Sequence, residues 1–334
     1  MKGIEIAGGG LAGLSLGIAL QDRGVPVVIR EAGSYPRHKV CGEFVNGVSP
    51  ETLENLRIDV IFEEALLHSK TRWWMGDEEL LEAEMKRPAL GLSRWEMDEA
   101  LRDLFLSKGG KLQVKDRVGR VAREGLVWTA GRVLQNESKW LGLKGHFIGL
   151  ELDGLEMHLG EGGYVGLTPV RGGRVNVCGL FEQRNLRGGN VILTYLDAVG
   201  LGALSKRLSK VEFDRKSLTG ISGFGLGGQD GNEELLTLGD AERIIPPFTG
   251  NGMSMAFESA ECALEPLLNY AQGGLGWGET CQLIRKSLAG RFDQRVRLAQ
   301  TMHHFLNANL GRQCLKWAAR ANLLPFHWLH RRLT

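Results

Sequence analysis

The first 31 residues constrain the fold of this chain more than any other stretch. An apolar run at residues 4–7 leads into Gly8-Gly9-Gly10-Leu11-Ala12-Gly13, and a second apolar run at residues 27–29 is followed by Glu31. Gly8, Gly10 and Gly13 fill the pattern GxGxxG, in which a side chain would block the tight turn, the approach of a pyrophosphate, or the packing of helix on strand. The stretch therefore predicts a strand, a turn, a helix and a parallel strand that bind a dinucleotide.

The acidic residue after the second run supports a nucleotide site. Glu31 lies eighteen residues after Gly13, where a carboxylate can accept both ribose hydroxyls of an adenosine and would repel a 2′-phosphate. The predicted helix start also offers free amide groups and a positive dipole end to phosphate. Because glycine makes up 47 of the 334 residues, a helix-packing glycine cluster is the alternative, but the flanking runs and the carboxylate favour nucleotide binding.

A second strand end with a flexible backbone lies far downstream. The short apolar run at residues 235–238 stops at Gly239-Asp240, and the glycine loop at residues 249–253 opens a long helical segment. Such a helix start suits an anion or an electron-rich ring. A nicotinamide dehydrogenase has no need of it, whereas FAD reaches from an adenosine at the first motif to a flavin that needs its own cradle. A turn or helix-capping role is the alternative for Asp240.

The order of patterns along the chain predicts an α/β fold. It consists of a Rossmann-like FAD-binding domain, an inserted antiparallel β-sheet substrate domain and a helical C-terminal segment. We also predict a helix opened by a capping box at Ser93 and Glu96, a small β excursion over residues 111–129, and one helical stretch over residues 191–208. The predicted FAD-binding domain comprises residues 1–70, 93–135 and 230–270, the substrate domain residues 71–92 and 140–229, and the basic helical segment residues 271–334.

Together these motifs resemble the FAD-dependent oxidoreductases of the geranylgeranyl reductase family, within the p-hydroxybenzoate hydroxylase-like fold. The resemblance covers most of the chain from residue 1 to about residue 268. Besides the N-terminal turn and Glu31, it rests on Lys39-Val40-Cys41-Gly42-Glu43, Ser93-Arg94 with Asp98, Gly163-Tyr164, Gly239-Asp240-Ala241, Pro247 and Gly250-Asn251-Gly252.

The resemblance implies a set of cofactor contacts. The pyrophosphate would be held by Gly8, Gly10, Leu11, Ala12 and Gly13, the ribose by Glu31, and the adenine by the backbone of Val118. Arg94 and Asp240 would face the phosphate and ribityl region, Lys39, Cys41 and Gly42 would approach the isoalloxazine ring, and Pro247, Gly250, Asn251, Gly252 and Met253 would lie near its pyrimidine edge.

Two departures separate the chain from that family. Many relatives carry aspartate before glycine where this chain has Ala130-Gly131-Arg132, which alters one contact with the cofactor or reductant. The YxWxFP element of the prenyl reductases is here Tyr164-Val165-Gly166-Leu167-Thr168-Pro169. Gly166 and Thr168 replace the tryptophan and phenylalanine of that element. Two large apolar side chains are therefore missing, and a polyprenyl substrate does not follow from the resemblance.

Two residues are candidates for the chemistry. Cys41, beside the expected flavin, can donate a proton or form an adduct, with a buried packing cysteine as the alternative. The resemblance places Tyr164 in the substrate pocket. Nothing in the spacing of His38 or His146 pairs either with a carboxylate, which favours a surface or satisfied core position. No metal site is predicted, because the histidines lack companion ligands at metal-binding spacing.

Three functions are compatible with these residues. The first is a FAD-dependent oxidoreductase that reduces a double bond, or forms one by dehydrogenation, on a largely apolar small-molecule or carrier-bound substrate. NAD(P)H would bind it transiently, because the chain has no second GxGxxG. The second is a FAD-dependent monooxygenase acting on an aromatic or polyketide-like ring. The third is a non-catalytic flavin-binding protein, suggested by the small number of acid–base groups.

The charge distribution bears on partners and location. With 41 basic and 39 acidic residues, the chain has no global field that selects nucleic acid. Ten basic residues and one acid, Asp293, lie between Arg285 and Thr334, which predicts contact with a membrane surface or an acidic carrier protein, or a solvated face. Five scattered cysteines without a CxxC pair predict a cytoplasmic protein, with peripheral membrane association through the basic segment as an addition.

Overall fold

The computed structural model describes residues 1–133, 138–223, 225–229 and 234–334. In chain order, the strands within these ranges are β1 (Ile4–Ala7), β2 (Val27–Glu31), β3 (Phe44–Val45), β4 (Leu66–Met75), β5 (Glu78–Gly91), β6 (Lys111–Val114), β7 (Leu126–Trp128), β8 (Trp140–Ile148), β9 (Leu155–Gly160), β10 (Gly163–Val170), β11 (Arg174–Glu182), β12 (Glu212–Ser222), β13 (Gly227–Gly228), β14 (Leu236–Thr237) and β15 (Arg243–Ile244). The α-helices are α1 (Leu11–Asp22), α2 (Pro50–Asn55), α3 (Arg94–Ser107), α4 (Val191–Ala198), α5 (Gly202–Leu208), α6 (Gly252–Gln272), α7 (Trp277–Asn307), α8 (Asn309–Arg320) and α9 (Phe326–Leu333). Short 3₁₀ turns occupy Asp59–Phe62, Gly239–Ala241 and Pro247–Thr249.

A parallel sheet holds the N-terminal strand at its centre. Its described strands follow the order β14-β7-β1-β2-β6, with Ile4 opposite Val27 and Glu5 opposite Leu126. Helix α1 is buried over its first ten residues and packs against α3 and α6. A helix that is apolar on all its faces is expected to be buried in this way.

The β excursion predicted over residues 111–129 has strands at both ends, as predicted, but it is not a separate unit. Strands β6 and β7 are members of the parallel sheet, and residues 117–123 form no strand. A short run of β-type residues has the same local pattern in a hairpin and in a parallel sheet, so the sequence alone did not separate the two.

The second sheet is mostly antiparallel and fills the middle of the chain. Its described strands follow the order β12-β8-β11-β10-β9-β4-β5-β3, and only the β4–β9 pair among them is parallel. Helices α4 and α5 cover one face, burying Phe147, Val177 and Leu196. The predicted single helix over residues 191–208 is two helices, because Gly200 adopts a φ of 79° and ends the first one.

The C-terminal part of the chain returns to both sheets as helices. Helix α8 lies on β5, and α9 packs on α7. The predicted arrangement of a Rossmann-like domain, an inserted antiparallel sheet and a helical C-terminal segment is confirmed. The predicted boundaries at residues 135 and 230 lie outside the described residues, so the domain limits stay a prediction. Among the helices described, none has the length and apolar character needed to cross a membrane.

Candidate functional site

The three motif glycines of the N-terminal turn serve two different purposes. Gly8 adopts a φ of 109°, and a Cβ atom there would lie 2.6 Å from the backbone of Ala130. A Cβ atom on Gly13 would lie 2.1 Å from the carbonyl oxygen of Gly8. By contrast, a Cβ atom on Gly10 would meet no atom within 4 Å. The turn and the helix contact therefore require Gly8 and Gly13, whereas Gly10 leaves the backbone open to an incoming group.

Glu31 closes this turn at the end of β2. Its carboxylate accepts hydrogen bonds from the Gly9 amide at 2.8 Å and the Gly33 amide at 2.7 Å, and pairs with Arg37 at 3.0 Å. The Tyr35 hydroxyl donates to the Gly9 carbonyl, and burial raises the pKa of this phenol. No spaced motif contains Tyr35 or Arg37, so the sequence did not indicate them. The contact between Glu31 and a ribose stays a prediction.

A buried ion cluster lies where helix α3 begins. Arg94 Nε and Lys39 Nζ contact the two carboxylate oxygens of Asp98 at 2.8 and 2.7 Å, and the Asp98 side chain is fully buried. Burial alone would raise the pKa of Asp98, but the charges of Arg94 and Lys39 hold it below its usual value. The capping box at Ser93 is half formed. Ser93 Oγ accepts the Glu96 amide at 3.2 Å, while the Glu96 side chain pairs with another residue, Arg174.

Asp240 approaches this cluster from the second strand end. A Cβ atom on Gly239 would lie 3.2 Å from the Cβ of Ala12, so this strand end packs directly on the start of helix α1. Asp240 is exposed to solvent, yet its protein surroundings are dense enough to raise the pKa of its carboxyl by burial. Three cations counteract this rise in pKa: Arg132, Arg94 and Lys39.

One aromatic ring lies between the two loops that, by the family resemblance, would approach the isoalloxazine ring. A Cβ atom on Gly42 would lie 2.9 Å from the Phe44 ring, and one on Gly250, where φ is 69°, would lie 2.3 Å from it. The loops are therefore adjacent in space although two hundred residues separate them. Asn251 is buried, and its side-chain amide donates to the Leu333 carbonyl in helix α9, a contact within the protein that the sequence did not indicate.

The remaining predicted cofactor contacts differ in exposure. Pro247, in the 3₁₀ turn before α6, and Gly252, the first residue of α6, are exposed. Leu11, Ala12 and Met253 are buried in the core at 5–6% exposure, so their side chains are not available to a ligand. Val118 is half-buried and packs against a small cluster formed by Ala7, Leu126 and Leu235. Their roles toward a cofactor stay predictions.

The two candidate chemical residues lie in unlike surroundings. Cys41 is half-buried, and its carbonyl accepts the Asn176 side-chain amide at 2.9 Å. Burial raises the pKa of the Cys41 thiol, and the nearby Arg94 charge opposes that rise without cancelling it. Tyr164 is 4% exposed and packs edge-on against Phe248 and His303. In this structure Tyr164 belongs to the core between the second sheet and the C-terminal helices rather than to an open pocket.

A buried polar network lies next to Cys41. The Glu43 carboxylate contacts Lys144 Nζ at 3.1 Å and His146 Nε2 at 2.6 Å, and all three side chains are fully buried. Lys144 Nζ also lies 3.1 Å from Nδ1 of His38. Burial, with the neighbouring Lys144 charge and His146, lowers the pKa of His38 to about 4. His38 is therefore neutral at pH 7.

His146 is a buried core histidine, one of the two positions that the sequence favoured, but it also has a carboxylate partner that the spacing did not show. Its partner Glu43 lies 103 residues earlier in the chain, beyond the reach of any spacing rule. The sequence of β8 did contain a weaker indication of this polar network. Lys144 and His146 alternate there with Leu143, Gly145 and Phe147, which places both polar side chains on one face of the strand.

The described residues fit FAD. The open backbone at Gly10 and the helix start beside it suit a pyrophosphate, the guanidinium and ammonium groups of Arg94 and Lys39 suit its charge, and Asp240 suits a hydroxylated chain. Among the residues that the structure describes, no group of three or more His, Cys, Asp or Glu side chains is placed to hold a metal ion.

No protein-family model and no curated protein matches the chain, but many solved structures do. One is a geranylgeranyl bacteriochlorophyll reductase-like protein from Thermoplasma acidophilum, with a TM-score of 0.74 and 17% identity over 96% of this chain and 91% of that one. Another is the p-nitrophenol 4-monooxygenase PnpA from Pseudomonas putida, with a TM-score of 0.74 and 13% identity over 99% and 98% of the two chains. A third is a variant of the halogenase PltM in complex with FAD, with a TM-score of 0.73 and 14% identity over 92% and 77%.

The chain has the fold of these proteins. Their names cover a reductase-like protein, a monooxygenase and a halogenase, so the geranylgeranyl reductase family is one of several groups that share this fold. At 13–17% identity the similarity establishes the fold but not the reaction.

Proposed function

We propose that this protein binds FAD and is a flavin-dependent oxidoreductase. The observation that carries the proposal is the open backbone at Gly10, which faces solvent between two glycines whose own Cβ positions are filled. Lys39, Arg94 and Asp240 lie close enough to one another for their charges to interact. The PltM structure, which has the same fold, was solved in complex with FAD. When bound, FAD supplies hydride transfer or oxygen chemistry.

The roles of the chain's residues follow from their positions. The amides of the N-terminal turn would accept the pyrophosphate, with Arg94 and Lys39 supplying positive charge. Glu31 would bind the ribose hydroxyls, and Asp240 the ribityl chain. The helix start at Gly252 would stabilise negative charge on a reduced ring.

We propose that the flavin reduces a carbon–carbon double bond on a largely apolar small-molecule or carrier-bound substrate, with NAD(P)H as the transient reductant. The alternative is that it forms such a bond by dehydrogenation, which would need an electron acceptor in place of NAD(P)H. Reduction of a double bond also needs a proton. The Cys41 thiol is suited to hold it, because burial raises its pKa and keeps it protonated at neutral pH. A monooxygenase is the second candidate, since PnpA matches this chain over 99% of its length at the same TM-score as the reductase-like protein.

The test of FAD binding is the substitution Gly10→Val. Gly10 is the N-cap of α1 with an extended backbone, φ −87° and ψ −168°, which valine adopts readily. We therefore expect Gly10→Val to fold normally but to bind FAD about a hundredfold more weakly, because its side chain enters the open approach. Titration of the protein with FAD, followed by flavin absorbance and fluorescence, measures the loss.

The matched control is Gly276→Val. Gly276 is the N-cap of α7, is also extended, and has no atom within 4 Å of its Cβ position. It should bind FAD as the parent protein does. An unaltered FAD affinity in Gly10→Val, or a parent protein that takes up no FAD, contradicts the proposal.

The reaction type is tested with the reduced, FAD-loaded protein under anaerobic conditions. Reoxidation by an activated alkene, with the saturated product formed, is expected for a reductase. At saturating FAD, Cys41→Ala should slow that step about a hundredfold, and Cys314→Ala, which changes an exposed cysteine, is the control. If the alkenes never reoxidise the flavin and, once oxygen is admitted, product forms only with oxygen incorporated, the monooxygenase replaces the reductase.

A further inference from the structure

Helix α8 turns an apolar face toward solvent. Leu310 and Trp317 are 72% and 67% exposed, and Cys314 and Ala321 are exposed as well. Their spacing of four, three and four residues places them on one side of the helix. An outward apolar stripe is the reverse of what a helix on a globular domain normally shows, and such patches mark interaction sites.

Contacts on the inner side fix this orientation. Leu315 and Ala319 pack against the cluster that contains Tyr164. Arg312 donates to the Gly160 carbonyl at 3.0 Å, and Arg320 pairs with Glu78 at 2.8 Å. Because both ends of α8 are held to the second sheet, the stripe cannot turn inward without breaking these contacts.

Two further exposed apolar side chains follow α8 in the sequence. Leu323 is 61% and Trp328 49% exposed, and the Arg332 guanidinium lies 5.7 Å from the Trp328 ring. We call the six residues the C-terminal patch: Leu310, Cys314, Trp317, Ala321, Leu323 and Trp328.

The chain segment that carries the patch is basic. Residues 305–334 contain five Lys or Arg residues and no Asp or Glu. Arg312, Lys316 and Arg320 pair with carboxylates of the second sheet, whereas Arg331 and Arg332 are exposed. A second copy of the chain docked on the same patch would bring equal positive charges together, which disfavours self-association.

We propose that the C-terminal patch docks on an anionic lipid bilayer. Leucine and tryptophan side chains on one helix face enter the boundary between headgroups and acyl chains, where indole rings are most favourable. The cations beside them attract phosphate groups of anionic lipids. The protein would lie on the membrane surface, and this mode of binding does not depend on the proposed flavin chemistry.

Vesicle sedimentation of the full chain, loaded with FAD, tests the proposal. We expect at least about tenfold more protein on phosphatidylcholine vesicles containing about 30% phosphatidylglycerol than on pure phosphatidylcholine, and a marked loss in about 0.5 M salt. The double substitution Leu310→Ser with Trp317→Ser should reduce binding at least about tenfold. Leu67→Ser, which changes a 68% exposed leucine on β4, should leave it unchanged.

Three outcomes would overturn the proposal. They are equal binding to neutral and anionic vesicles, retained binding in the double variant, and a parent dimer in sedimentation equilibrium that the double variant abolishes. The last result would make a second copy the occupant. FAD content, read from the absorbance of every variant, separates failure of this proposal from failure of the proposed function.

Discussion

Replacing Glu43 with glutamine is expected to lower the free energy of unfolding by about 3–5 kcal/mol. Glu43 and Lys144 are fully buried and lie 3.1 Å apart, so the substitution leaves the ammonium group without its countercharge in a region that water does not reach. The short contact of 2.6 Å to His146 also changes from a charged to a neutral acceptor. Denaturant unfolding at pH 7, monitored by circular dichroism, measures the loss.

Two further variants make this expectation specific. Glu82 pairs with Arg72 at 2.6 Å, but both side chains are exposed, so Glu82→Gln should leave stability nearly unchanged. Adding Lys144→Met to Glu43→Gln removes the stranded charge and should recover part of the lost stability. If Glu43→Gln is no more harmful than Glu82→Gln, the buried group is not a charged pair.

The second large effect concerns Gly13, where alanine should destabilise the protein by about 3 kcal/mol or more. Glycine to alanine inside a helix normally stabilises by about 0.5–1 kcal/mol. At Gly13 the added Cβ would lie 2.1 Å from the carbonyl oxygen of Gly8, so the backbone of the turn has to move. The same unfolding experiment measures the change.

Gly290→Ala is the matched control. Gly290 lies within helix α7, and no atom comes within 4 Å of its Cβ position. It should show the usual small gain in stability. A Gly13→Ala protein as stable as Gly290→Ala would mean that the turn and helix α1 are not packed as described. Compared with Gly10→Val, which should fold and lose only FAD affinity, Gly13→Ala separates the packing role of the motif from its binding role.

Features set by neighbouring residues could be predicted from the sequence. The strand, glycine turn and helix at the N-terminus follow from steric limits within a few residues. The same is true of the Ser93 cap and of the four-residue spacing that brings Arg94 to Asp98. The inserted sheet was predictable as a class, because its glycine turns and β-type residues recur at short intervals.

Contacts between distant strands could not be predicted. The pairing of Glu43 with His146 depends on how β3 and β8 are placed in one folded sheet, and no local rule specifies that placement. The resemblance put Tyr164 in a substrate pocket, but the C-terminal helices cover it, with His303 packed edge-on against its ring. The position of the Phe44 ring between the Gly42 and Gly250 loops could not be predicted either, because it depends on contacts between distant parts of the chain.

The interrupted parallel sheet has a consequence for synthesis of the protein. Strand β7 has β1 on one side, but its other neighbour, β14, begins only at Leu236. At about 5–20 residues per second on the ribosome, roughly five to twenty seconds pass between the emergence of these two strands. Throughout that interval the nascent chain presents an unpaired strand edge, the kind of surface on which chains aggregate. We expect the yield of native protein to depend on chaperones that shield this edge until the last strand arrives.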